Sequence, residues 1–161
     1  MNGHMKNQTK SQASNLVGLR SHTTCLQKGL PKTIRVSVGS AVVIGLLNEK
    51  LDAAPTTAYL MTYRKGKCTA NCGFCSQARG SHSRADALSR VSWPVFATEN
   101  VLDGIEKGFE DGKIKRVCFQ ALNYPKVFTH LLALVKAIRQ KAKVPISISC
   151  QPLNNGNIKA L

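Results

Sequence analysis

From Thr57 onward strand-like runs alternate with helix-like apolar stripes in the order β-α-β-α-β, and this alternation narrows the accessible folds more than any other feature. Thr57-Ala58-Tyr59-Leu60-Met61-Thr62-Tyr63 is rich in β-branched and aromatic side chains and reads as a buried strand. Thr98 then offers a helix cap and Glu99 a charge favourable at a helix N-terminus, ahead of an apolar stripe of Val101, Leu102, Ile105 and Phe109 that stops at Gly112. Ile114 to Ala121 reads as a second strand. Pro125 fits the first turn of a helix whose core stripe includes Leu131, Leu134, Val135 and Ile138. Pro145 to Cys150 reads as a third strand, and residues 154–161 as a loop leading into another helix. Strands that alternate with helices are joined by crossovers, so the expected fold class is α/β, with parallel strands alternating with helices.

Upstream of this core the signals are weaker. Ile34, Val36 and Val38 alternate with polar residues as in a short strand, Gly39 stops it, and Ser40 is placed to cap a helix that carries Ala41, Ile44, Leu47 and Leu51 up to Pro55. Residues 1–32 form a basic tail, rich in Ser, Thr, Asn, Gln and Lys, with the composition of a disordered segment. An organelle transit peptide is the lesser alternative for this tail. Residues 33–161 are then the folded domain. Between the first main strand and Thr98, residues 76–97 read as a long loop anchored by Trp93, and loops of that length in a compact domain usually carry function.

The candidate chemistry sits directly after the Thr57 strand, in Lys67-Cys68-Thr69-Ala70-Asn71-Cys72-Gly73-Phe74-Cys75-Ser76-Gln77. Cys68, Cys72 and Cys75 have C-x3-C-x2-C spacing, so three thiolates can converge on one metal centre. A closed zinc site takes four ligands and an ordinary [4Fe-4S] cluster four cysteines, which leaves this set one ligand short and one iron open for a cofactor. Zinc or a disulfide is the alternative, but no second C-x2-C or H-x3-H accompanies the loop. Six cysteines with three crowded into one loop and two in strand-like runs suit thiolates in a reducing compartment, here taken as the cytoplasm; Cys25 reads as a bystander. The longest apolar run, Val38 to Leu47, is too short to span a bilayer.

The formal charge is +15, and no Asp or Glu occurs before Glu49 or after Asp111. Such a balance raises nucleic acid as a partner, but no RNP-like, KH or helix-turn-helix pattern goes with it. A solvated basic surface, attractive to carboxylate-bearing substrates, is the milder account.

With Phe74 one place before the third cysteine, the loop resembles the signature of the radical S-adenosylmethionine (radical SAM) superfamily. The likeness is nearest to biotin synthase and its archaeal-type relatives, over roughly Thr57 to Leu161. It rests on Cys72-Gly73-Phe74-Cys75-Ser76-Gln77, on Arg116-Val117-Cys118-Phe119-Gln120-Ala121 and on Ser149-Cys150. The resemblance implies the N-terminal part of a (β/α) barrel. A full barrel needs more than about 200 residues, so a C-terminally truncated chain is expected, which by itself need not turn over substrate. Implied too are a [4Fe-4S] cluster on Cys68, Cys72 and Cys75, and S-adenosylmethionine bound near Phe74, Gln120, Ala121 and Asn123. One electron would cleave the cofactor to methionine and a 5′-deoxyadenosyl radical that abstracts hydrogen from an unactivated carbon. Where the superfamily has a Gly-Gly-Glu-like segment for the methionine amino group, this chain has Gln120-Ala121-Leu122-Asn123-Tyr124, without a carboxylate. Cys118 and Cys150 look like two ligands of the auxiliary [2Fe-2S] cluster that donates sulfur in biotin synthases, and strand alternation is expected to turn both into one cavity. As strand cysteines they are equally read as small apolar core residues. Expected partners are a small-molecule substrate, free or carried on a protein, and an electron donor such as ferredoxin or flavodoxin; a homodimer is also allowed. Lipoyl synthase-like sulfur insertion, another radical SAM reaction without an auxiliary cluster, and a non-catalytic metal-binding fragment are the rival functions.

Overall fold

A computed structural model describes residues 29–151 and 154–161. The tail expected for residues 1–32 therefore lies mostly outside the described residues, as does Cys25. Along the chain come β1 (Thr33–Val36), α1 (Val38–Val43), β2 (Thr57–Met61), β3 (Ala87–Leu88), β4 (Val91–Ser92), β5 (Val95–Ala97), α2 (Thr98–Glu110), β6 (Arg116–Gln120), α3 (Val127–Lys141), β7 (Ile146–Ser149) and α4 (Asn155–Ala160).

The class is α/β. β2, β6 and β7 run parallel, joined through α2 and α3, with Met61 opposite Gln120 and Gln120 opposite Ser149. β1 adds antiparallel to β2, and β5 antiparallel to β1, so the sheet is mixed and has the order β5-β1-β2-β6-β7. No closed barrel is formed among the described residues.

Alternation along the parallel strands divides their side chains between two faces. Ala58, Leu60, Val117 and Phe119, each at most 1% exposed, join the stripes of α2 and α3 in the main core. The opposite face carries Tyr59, Cys118, Gln120 and Ser147, and Tyr59 there is 40% exposed. Parallel sheets are normally covered on both sides, so this polar, open face is unusual. Close packing beneath the sheet requires one glycine in particular: a Cβ at Gly104 would lie 2.6 Å from the carbonyl oxygen of Ile44, where α2 presses on the end of α1.

Several local expectations are corrected. Val38 opens α1 instead of closing β1, and Ser37, not Ser40, is the cap, its oxygen accepting from the Ser40 N–H. The Ser40 hydroxyl is engaged instead with β2, donating to Thr57 O and accepting from Tyr59 N at 3.3 and 2.9 Å. α1 stops at Val43, well before Leu51, because Gly45 turns the chain at φ 77°. Thr98 does not cap α2; its hydroxyl donates to Pro31 O at 2.6 Å, and Ala97 takes the cap position. The long loop at 76–97 is partly ordered into the β3–β4 hairpin and the edge strand β5. That hairpin turns on Ser89 and Arg90, both at positive φ, a task sequences usually assign to Asn-Gly. No described helix is long and apolar enough to cross a membrane.

Candidate metal centre

The cysteine loop leaves the C-terminal end of β2 and is closed on itself by short bonds. Lys67 Nζ donates to Ser76 O and Ser81 O at 3.1 and 2.5 Å, the Cys68 N–H to Gln77 O at 3.0 Å, and the Arg79 N–H to Ala70 O at 2.8 Å. A tight turn, with the Cys75 N–H donating to Cys72 O at 3.2 Å, sets the spacing of the second and third cysteines.

Gln77 bolts this loop to the β3–β4 hairpin. It is 1% exposed and its Nε2 donates to Ala85 O and Ala87 O at 2.9 and 2.7 Å, while Ser76 Oγ also donates to Ala87 O. Gln77 Oε1 is left without a partner among the described residues. Behind the loop Met61, Trp93, Leu122 and Tyr124 form a second small core against which Cys68 packs. The Trp93 carbonyl accepts from Arg35 at 2.6 Å, and the Arg35 guanidinium lies 5.2 Å above the Tyr63 ring. Arg35 is 8% exposed, which its place between Ile34 and Val36 does not announce; in an alternating strand it reads as a solvent-facing residue.

The C-terminal ends of the three parallel strands open into a cavity of about 470 Å³. Met61, Gln120 and Ser149, the last residues of β2, β6 and β7, line it together with Cys68, Cys72 and Cys75. Ala121 and Asn123 line it too, and among the described residues no Asp, Glu, Lys or Arg does. Phe74 borders both this cavity and a second one of about 420 Å³ that Cys72 and Cys75 share, and is itself 98% exposed. Among the described residues no three His, Cys, Asp or Glu converge as a ready site for a metal ion.

Cys118 and Cys150 come out differently from the alternation argument. In the parallel register Cys118 stands opposite Ser147, so strict alternation would put Cys150 on the other face, with Ile146 and Ile148. Cys150 lies just past the end of β7, exposed, and lines the same cavity as the loop cysteines. Cys118 sits one layer deeper on β6, where Gln120 Nε2 donates to its sulfur at 3.5 Å.

At the edge of this region the Tyr124 hydroxyl meets His130 Nδ1 at 2.9 Å. Burial pushes the Tyr124 phenol up, and burial, helped by nearby Lys126, holds His130 below its ordinary value of 6.5. The folded chain therefore binds the His130 proton less readily than the unfolded chain. Its contribution to stability is complete above pH 6.5 and is lost as pH falls through the lowered folded value. Urea midpoints measured from about pH 7 down to about pH 5 are expected to fall, and His130→Gln to flatten that part of the profile. Parallel profiles for the two proteins would rule this out.

Fold and site together define an α/β protein with a three-cysteine loop at the C-terminal edge of its parallel strands. No family model matches the chain, and no curated protein and no solved structure matches it.

Proposed function

We propose that this chain is a radical SAM protein, or part of one, of the sulfur-inserting, biotin synthase-like kind, and that its sheet belongs to a (β/α) barrel. The observation that carries the reading is the shared cavity: three thiols at C-x3-C-x2-C spacing and the ends of three parallel strands border one space, where barrel active sites lie.

The donor set fits a [4Fe-4S] cluster held by Cys68, Cys72 and Cys75. A single thiolate-bound zinc at 2.3 Å needs its sulfurs about 3.8 Å apart, whereas a cluster takes each thiolate on a separate iron and accepts a wider set. When bound, such a cluster supplies the electron that cleaves S-adenosylmethionine. The chain's own residues then bind and shield. The Asn123 side chain and the backbone carbonyls of residues 121 and 122 would receive the methionine amino group in place of a carboxylate. Phe74, exposed at the border of both cavities, would offer an apolar face to the cofactor, and the open polar face with Gln120 and Ser149 borders the substrate space.

In this reading Cys118 and Cys150 hold an auxiliary [2Fe-2S] cluster that gives up sulfur. A second reading keeps the radical chemistry without that cluster, favoured by the depth of Cys118 relative to Cys150 and by its engagement with Gln120. Anaerobic reconstitution with counted iron and sulfide separates them: about six irons per chain support the auxiliary cluster, and about four support the second reading. Retained zinc with no iron uptake and no 5′-deoxyadenosine formed would overturn both.

A further inference from the structure

We infer that Thr69 is a positioning residue, which clamps the segment after β6 onto the cysteine loop and thereby fixes a hydrogen bond from the backbone to the sulfur of Cys68. Three short bonds carry this. The Asn123 carbonyl accepts from both the Thr69 N–H and the Thr69 hydroxyl, at 2.9 and 2.8 Å, and the Asn123 N–H in turn donates to Cys68 Sγ at 3.0 Å. Residues 68–69 and residue 123 thus hold each other beyond the C-terminal ends of two neighbouring parallel strands, β2 and β6, although they are 54 or 55 residues apart in the chain.

Thr69 is exposed, so its hydroxyl serves no core packing, and the methyl-for-hydroxyl exchange in valine removes one donor while keeping the shape. Without the hydroxyl the Asn123 carbonyl keeps only one of its two loop partners, and the N–H aimed at Cys68 is less firmly held. A donor to a ligating thiolate stabilises negative charge, and the reduced form of a one-electron iron-sulfur couple is the more negative, so the clamp raises the reduction potential. This last step rests on the cluster reading proposed above; the clamp itself does not.

The experiment uses the full chain as wild type, Thr69→Val and Thr69→Ser. In the metal-free protein the amides of Thr69 and Asn123 are expected to exchange about fivefold faster in Thr69→Val, the effect of one neutral hydrogen bond, and at the wild-type rate in Thr69→Ser. After anaerobic reconstitution, iron per chain is expected to be equal in all three. At a fixed redox poise the ratio of reduced to oxidised cluster should be about threefold lower in Thr69→Val, or about 28 mV at 59 mV per tenfold for one electron, and restored in Thr69→Ser. Unchanged amide exchange in Thr69→Val overturns the clamp. Faster exchange with an unchanged potential overturns its action on the sulfur. A wild-type chain that takes up no iron overturns the cluster reading instead, and the exchange measurement still decides the clamp.

Discussion

Alanine in place of Cys68, Cys72 or Cys75 is expected to abolish the visible absorption of the [4Fe-4S] cluster and all cleavage of S-adenosylmethionine, each variant losing essentially the whole of that signal. A cluster held by three thiolates with its fourth iron kept for the cofactor has no protein ligand to spare. The loop offers no easy substitute, because a backbone turn spaces Cys72 from Cys75 and the Asn123 N–H holds the Cys68 sulfur. Among the described residues Cys150 is the other thiol that lines the cavity, so each variant is also made with Cys150→Ala. About four irons that persist in a single variant and vanish in the double would mark Cys150 as a replacement ligand, whereas about two would be those of the auxiliary cluster on Cys118 and Cys150. Iron that persists in both would show that the loop is not the cluster site. Cys25→Ala, outside the described residues, is the control and is expected to bind iron as the wild type does.

How much of this was legible in the sequence follows the reach of each signal. The β2, α2, β6, α3 and β7 segments announce themselves because burial on one face imposes a period on consecutive residues, and Leu60, Ile105, Phe119 and Leu134 all occupy the core that their spacing foretold. The cysteine loop is equally local. What the sequence hides depends on contacts across the chain. Ser40 satisfies every rule for a cap, yet Ser37 takes that place and Ser40 pairs with β2, a choice made by residues 17 and 19 positions away. β1 and β5 are short strands whose antiparallel places beside β2 no periodicity dictates. The Ser89-Arg90 turn uses two residues that rarely take positive φ, so the hairpin on which Gln77 anchors the loop has no turn signature. Alternation placed Cys118 and Cys150 on a common side; the register, which only the paired strands reveal, places Ser147 there, and Cys150 reaches the cavity from beyond the strand end.

Phe119→Ala is expected to cause the largest loss of stability of any single core change, about 3–5 kcal/mol, against the roughly 5–15 kcal/mol typical of a whole domain. Phe119 is among the largest of the side chains that are fully buried, at 0% exposure, and it sits on the middle one of the three parallel strands, opposite Leu60 on β2 and Ile148 on β7. Truncation removes its apolar area from the core and leaves a hole that α2 and α3, each also packed on other residues, collapse into only in part. Urea unfolding at constant m-value reads the loss directly, with Tyr59→Ala, on the open face of the neighbouring strand, as the contrast, expected to cost less than about 1 kcal/mol. Equal costs for the two substitutions would mean that the open face is covered in solution and that the core has been assigned to the wrong side of the sheet. The functional consequence follows from sequence adjacency: Gln120 lines the cavity and Asn123 holds Cys68, so a β6 strand loosened at Phe119 shifts both. Phe119→Ala is therefore also expected to reduce iron retention after reconstitution, although Phe119 itself faces away from the cavity.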